Sequence, residues 1–398
     1  MLVNSFFLAA LLASGASALY TRNDKGEKDK HDKGKKPRIV PGIAFDRFIT
    51  VWLENTDFLS AAADPNFSSL TKQGIHLTNY FAVTHPSEPN YVASVGGDYF
   101  GMQNDNLNRV PQNISSVVDL LEEKGISWAE YQEHMPNTGF QGFSQPNVLT
   151  GANDYVRKHN PLVIFDSVAN VPNRVNLIKN FTLLDQDIAN DAVPQWAFIT
   201  PNMTNDGHDT NITFSSKFSV NFLEPLLRNP RFNGPRTLIL LTFDESGNST
   251  VQNRVDSVLL GNAVPRELLG TSDGNFYNHY SEIATVEANW GLHTLGRYDV
   301  GANVFEFVGR KTGDRIRQLT TTTLTETFLN ASYPGVFNTA TLAPLPIPNT
   351  RLVVNGRRVL DSIVRTWGSP AQQACAGYTD SLEIPSATNP PVRPAFCH

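Results

Sequence analysis

Two acidic pairs stand where strongly apolar runs stop. Glu54-Asn55 follows Phe45–Leu53 (FDRFITVWL), and Asp244-Glu245 follows Thr237–Phe243 (TLILLTF). If those runs are neighbouring strands, hard oxygen donors meet at one edge and can surround a single divalent cation. With no thiol in the set, Mg²⁺, Ca²⁺ or Mn²⁺ is favoured over a closed zinc site. Ser87 sits between two prolines in Thr84–Tyr91 (THPSEPNY), read as a short rigid loop. A serine hydroxyl is a poor nucleophile until a base or a metal activates it, and the oxygen donors could serve. Pro201–Asp209 (PNMTNDGHD) adds Asp206, His208 and Asp209. His279 stands just before a helix whose N-terminus attracts anions, and His159 lies in a His-Asn-Pro turn. Each group also has a plain reading: Asp244-Glu245 opening a turn, Ser87 a turn residue, each histidine on the surface or satisfied in the core.

Several chemistries are excluded outright. The sequence has no H-E-x-x-H, no G-x-G-x-x-G and no Walker loop, and two cysteines cannot make a zinc finger. The 398 residues carry 32 Lys and Arg against 38 Asp and Glu, a net charge of −6, with 40% hydrophobic residues. That composition builds a large core and argues against a nucleic-acid partner. Asp244 and Glu245 are adjacent, so on a continuing strand they would diverge, which disfavours a paired-carboxylate glycosidase.

The elements that must position these groups alternate. Strands are expected at Phe48–Leu53, Tyr80–Val83, Ile126–Tyr131, Gln195–Thr200, Thr237–Phe243 and Val255–Leu260. Helices are expected at Ser115–Lys124 (capped by Ser115 or Ser116 and closed by Gly125), Leu183–Ala189, Phe218–Leu227 and Ile283–Trp290. Such alternation predicts an α/β fold, a mostly parallel central sheet with helices on both faces and ligands at the carboxyl edge of the strands. The catalytic domain is expected over residues 39–300. Residues 301–398, rich in Thr and Pro, read as an extension packed on the same domain.

The N-terminus points to export. Residues 1–18 carry no charged side chain and end in Ala16-Ser17-Ala18 after a short apolar run, the pattern of a cleaved signal peptide. Residues 19–38 hold eight Lys and Arg against four Asp and Glu with Gly between them, a disordered spacer. Cys375 and Cys397, the only cysteines, are expected to form a disulfide in an oxidising compartment, worth on the order of 3 kcal/mol. Sequons occur at Asn66, Asn113, Asn180, Asn202, Asn211, Asn248 and Asn330. No second apolar segment suggests a membrane anchor, so a secreted glycoprotein is expected, with wall contacts its only tether.

The order E-N, HPSEPNY, TPNMTNDGHD, strand-TFDESG and HYSEIATVEANWGL resembles the phosphoesterase family of secreted acid phosphatases and bacterial phospholipases C, within the alkaline phosphatase-like superfamily. The chain as a whole is most similar to the fungal phosphate-repressible acid phosphatases. The resemblance implies a metal held by Glu54, Asn55, Ser87, Asp244 and Glu245, with Ser87 as the nucleophile. It also implies a phosphate pocket lined by Asn90, His159, Asp206, His208 and His279, with His208 or His279 protonating the leaving group. The expected substrates are small phosphate monoesters, and a histidine acid, protonated below about pH 6.5, suits an acidic optimum. The alternative is a phosphodiesterase or phospholipase C using the same site. The motif DESGNST departs from the D-E-x-G-G of the phospholipase branch, which weighs against that alternative.

Overall fold

In the computed structural model, residues 38–319, 329–382 and 397 are described. The expected signal peptide, nearly all of the charged spacer, the Thr-rich stretch after Leu319 and most of the Pro-rich tail lie outside them.

The strands in chain order are β1 (Arg47–Leu53), β2 (Ile75–Phe81), β3 (Trp128–Gln132), β4 (Ser144–Gln145), β5 (Tyr155–Val156), β6 (Ile178–Asn180), β7 (Trp196–Thr200), β8 (Thr237–Phe243), β9 (Arg254–Leu260), β10 (Thr271–Asp273), β11 (Tyr277–Asn278), β12 (Val353–Val354) and β13 (Arg357–Arg358). Nine of them form one sheet, ordered β10-β2-β9-β8-β1-β7-β3-β6 with β11 also on β2. Within it β9 alone runs against its neighbours, pairing antiparallel with both β2 and β8. Central β8 and β1 are parallel and in register to their last residues, Leu53 opposite Phe243. Every β8 residue is buried, as the run TLILLTF requires of a strand covered on both faces.

The helices are α1 (Phe58–Ala63), α2 (Pro65–Thr71), α3 (Ser87–Gly96), α4 (Val117–Glu123), α5 (Asp166–Ala169), α6 (Pro172–Val175), α7 (Phe181–Ala189), α8 (Ile212–Arg228), α9 (Tyr280–Trp290), α10 (Glu306–Thr312), α11 (Asp361–Trp367) and α12 (Pro370–Gln373). Ser116 caps α4 in a capping box with Asp119. Two expectations are corrected. The helix expected at Phe218–Leu227 begins six residues earlier, where the Asn211 side chain accepts from Phe214 N, and it continues through Pro225. Its buried face at that end is made of Ser215, Ser216 and Ser219, small residues that carry no hydrophobic signal. Ser87 is not in a loop. It is the first residue of α3, because Pro86 and Pro89 fall at the cap and in the first turn, where a missing N–H costs nothing.

Helices α3 and α9 are buried on every side. The C-terminal residues are stitched to this core. Tyr333 and Tyr378 both donate their hydroxyls to the buried carboxylate of Asp98, and Thr294 bridges to Val359. Cys375 and Cys397 are joined, with Cα atoms 5.6 Å apart. Of the sequon asparagines, Asn113, Asn211, Asn248 and Asn330 are exposed, whereas Asn202 is buried with its side-chain oxygen accepting from Thr204 N and Asn205 N.

Asn289 near the end of α9 ties the start of the fold down. Its Oδ1 accepts from Ala44 N (2.7 Å) and Phe45 N (3.0 Å), and its Nδ2 donates to Phe45 O (2.9 Å). Asn289→Ala strands three buried backbone groups, so it is expected to cost about 3 kcal/mol. Urea unfolding checks this, and an unchanged midpoint would contradict it.

Candidate active site

The parallel pairing of β1 with β8 delivers Glu54 and Asp244 side by side. Asp244 N donates to Leu53 O (3.0 Å), and Asp244 Oδ1 accepts from Asn55 N (3.0 Å). Asn55 Nδ2 donates to Glu245 Oε1 (2.6 Å). Across β1, the loop after β7 brings in Asp206, whose carbonyl accepts from Glu54 N (2.9 Å). Four buried carboxylates, Glu54, Asp206, Asp244 and Glu245, thus converge from three adjacent strands.

Ser87 joins them from the N-terminus of α3. Its Oγ lies 3.2 Å from Glu54 Oε2 and 3.5 Å from Glu245 Oε1. The turn before it is held by Asn90, whose Oδ1 accepts from Val83 N (2.9 Å) and Thr84 N (3.2 Å). Asn90 Nδ2 donates to Thr84 O (2.9 Å) and reaches Glu245 Oε2 (3.3 Å). Asn90, expected to hold a phosphate oxygen, spends its amide on the turn before Ser87 instead. Asn253 links the two loops, accepting from Ser246 N and donating to Thr84 O, each at 2.9 Å.

The histidines divide. His159, 2% exposed, lies with Nε2 2.9 Å from Glu54 Oε1 and Nδ1 3.3 Å from Asp206 Oδ2, oblique contacts that are ion pairs more than aligned hydrogen bonds. Burial alone would discharge its ring, but Glu54 and Asp206 outweigh it and lift His159 to about 9. Burial likewise opposes charge on Glu54, yet the His159 cation pulls that carboxyl down to about 2. His208 stands at the rim with its Nδ1 donating to Asp209 Oδ1 (2.8 Å) and its backbone N to Asp206 Oδ1 (2.8 Å).

His279 does not reach the pocket, which corrects its expected role as an acid. Its Nε2 donates to the carbonyl of Asp244 (2.7 Å), its Nδ1 faces Tyr80 OH (3.2 Å), and its ring packs 4.4 Å from that of Trp52. Burial pushes it down to about 3, so it is a neutral support beneath the carboxylates.

Three contributors were not singled out from sequence. His85 Nδ1 lies 2.8 Å from Glu245 Oε2, Tyr91 OH donates to Glu54 Oε1 (2.7 Å), and Lys158 Nζ lies 3.2 Å from His208 Nε2. His85 and Tyr91 flank the Ser87 motif itself, and Lys158 precedes His159, so adjacency to the motifs was the available signal.

These residues fit a metal ion. Asp244 Oδ2 is buried with no hydrogen-bond partner, and burial followed by repulsion from Glu54 and Glu245 holds the Asp244 carboxyl well above its usual range. Burial also raises Glu245. Nearby, donor atoms of Glu54, His159 and His208 lie within 4.8 Å of one another, a second possible set that shares Glu54.

The decisive comparison is with known sequences. Residues 57–293 match the phosphoesterase family. An acid phosphatase of Aspergillus fumigatus is 59% identical over 296 residues, covering 74% of this chain and 65% of that one. The chain belongs to the phosphoesterase family. A probable acid phosphatase of Kluyveromyces lactis is 53% identical over 82% of this phosphoesterase and 77% of its own length. A phosphate-repressible acid phosphatase of Penicillium chrysogenum is 53% identical over 75% and 71%. The match thus spans just under two thirds of the A. fumigatus relative. A solved member of the alkaline phosphatase superfamily from Vibrio parahaemolyticus aligns with a TM-score of 0.41 at 11% identity, over 63% of this phosphoesterase and 68% of that chain.

Beneath the site, Glu282 on α9 accepts from Trp52 Nε1 and Tyr80 OH, both at 3.1 Å, and burial pushes its carboxyl up to about 8. A carboxyl raised in the folded state contributes stability that is complete below its unfolded value of 4.5 and is lost as pH rises through 8. Glu282→Gln keeps the accepting oxygen and removes the titration. Relative to this variant, the phosphoesterase should lose roughly 2–4 kcal/mol between acid and neutral pH. Urea unfolding of both proteins at a series of pH values checks this, and parallel curves would refute it.

Proposed function

We propose that this phosphoesterase is a secreted acid phosphatase that hydrolyses small phosphate monoesters through a phosphoseryl intermediate on Ser87. The observation that carries the reading is the Ser87 hydroxyl at a helix N-terminus, within hydrogen-bonding reach of two buried carboxylates. The names of the fungal relatives support the reaction class. The paired cysteines and the N-terminal sequence pattern support export. Among the described residues no helix is long and apolar enough to cross a membrane.

Glu54, Asn55, Asp244, Glu245 and Ser87 are the residues we assign to one divalent cation, which when bound supplies Lewis acidity that lowers the hydroxyl pKa and neutralises phosphoryl charge. Their all-oxygen donors favour Mg²⁺, Ca²⁺ or Mn²⁺ over Zn²⁺. The chain's own part follows from the geometry. Ser87 gives up its proton toward Glu245 Oε1 and its Oγ bonds to phosphorus as the ester P–O bond breaks. Asn90 and Asn253 hold the nucleophile's loop against the Asp244-Glu245 turn, so Oγ is aimed before substrate arrives. His208, at the rim with Asp209 orienting its ring, protonates the departing alcohol. Water then attacks the phosphoserine, releasing phosphate and restoring the hydroxyl. Tyr91 and His159 keep Glu54 ionised and fixed in place throughout.

Turnover of p-nitrophenyl phosphate across pH, with bis-p-nitrophenyl phosphate in parallel, tests the reading. Monoester turnover peaking at acid pH is expected, with a loss of about 10³-fold or more in Ser87→Ala and loss on exhaustive chelation that added divalent cation reverses. Ser87→Ala within threefold of wild type would remove the nucleophile, and preference for the diester would make the enzyme a phosphodiesterase.

A further inference from the structure

The site as described is crowded with negative charge, yet its substrate is an anion. The cationic neighbours that act most strongly on Glu54 are His159, Lys158 and His208. His159 is committed to Glu54 and Asp206. Lys158 is the permanent charge of the three, and its ammonium is felt by Glu54 and Asp244 alike. It follows β5 in the short turn Arg157–His159, with a side chain 14% exposed.

Its partners fix where it points. Lys158 Nζ donates to Asp105 Oδ2 (3.0 Å) and lies 3.2 Å from His208 Nε2. Asp105 Oδ1 in turn accepts from the backbone N of Glu88 (2.9 Å), the residue after Ser87. The ammonium is therefore tethered on one side to the nucleophile's own helix turn and on the other to the residue assigned as the acid. An ammonium carries three hydrogens, and Asp105 takes one of them, so a hydrogen remains for a substrate oxygen beside His208. A compact ammonium meets phosphate as a point charge.

We propose that Lys158 receives a phosphoryl oxygen of the bound substrate and sets the preference for monoesters, which present three unesterified oxygens, over diesters, which present two. This rests on the phosphatase reading above. Among the described residues Lys158 is the lysine whose ammonium acts on Glu54 and Asp244, and a diester offers it one unesterified oxygen fewer than a monoester. Lys158→Met should thus penalise the monoester selectively.

The test combines binding of inorganic phosphate, measured by titration calorimetry, with kcat and KM for p-nitrophenyl phosphate and bis-p-nitrophenyl phosphate. In Lys158→Met, phosphate affinity should fall and monoester KM should rise by about 10- to 100-fold. Diester kcat/KM should stay within about threefold, and Lys158→Arg should recover most of the loss. A folded Lys158→Met with unchanged phosphate affinity and an unchanged monoester-to-diester ratio would overturn the assignment. If that variant does not fold, Lys158→Gln is held to the same criterion. Wild-type protein that turns over neither ester would sink the phosphatase reading itself, whereas an active wild type with an unaltered variant sinks only the role of Lys158.

Discussion

Repulsion among buried carboxylates is the constraint around which this molecule is organised. Glu54, Asp206, Asp244 and Glu245 stand close together, buried by the surrounding side chains. Two like charges about 4 Å apart repel by roughly 4 kcal/mol at an effective dielectric near 20. No flexible loop would hold such groups together unaided. Here they are anchored at the ends of β7, β1 and β8, where the sheet's hydrogen bonds fix the backbone to the last pair, Leu53 opposite Phe243. The rigidity of the sheet is what makes the charge density tolerable, and the charge density is what makes the residues fit a cation.

The surroundings divide the work of compensation. His159 supplies a buried positive charge, Tyr91 and Asn55 donate hydrogen bonds, and His85 contacts the outer oxygen of Glu245. One layer down the arrangement is different in kind. Trp52, Tyr80, His279 and Glu282 form a dry support in which the histidine is neutral and the glutamate is favoured in its protonated form. The upper layer is charged and reactive, and the lower layer is uncharged and stiff. Preorganisation of this sort lets a hydroxyl be aimed without reorganisation during reaction.

The sheet was legible because its strands speak plainly. TLILLTF is a strand buried on both faces, and the expected range matches β8 to the residue. The acidic pairs were legible for the same reason, since each interrupts such a run. The misreadings came from residues whose local signal conflicts with their setting. Pro86 and Pro89 around Ser87 suggest a loop, although both positions are compatible with the start of a helix. The first turns of α8 bury serines and so look unlike a helix with a core face. His279 looks like a site residue because it begins a helix, and only the packing of Trp52 and Tyr80 against it reveals that it faces inward. Lys158, His85 and Tyr91 acquire their meaning from partners far along the chain or on another element, which no local pattern encodes.

The pairing of Asp98 with Tyr333 and Tyr378 bears on how the polypeptide comes to fold. Those contacts join residues 235 and 280 positions apart, and β1 likewise sits between strands made much later. During synthesis the first half would hold a carboxyl destined for the interior, with the phenols that satisfy it not yet made. Contacts of such high sequence separation are slow to form. The sheet therefore cannot close until the strands through Asn278 have emerged. Asp98 waits longer still for Tyr333 and Tyr378, which makes late truncations more damaging than their distance along the chain from the sheet suggests.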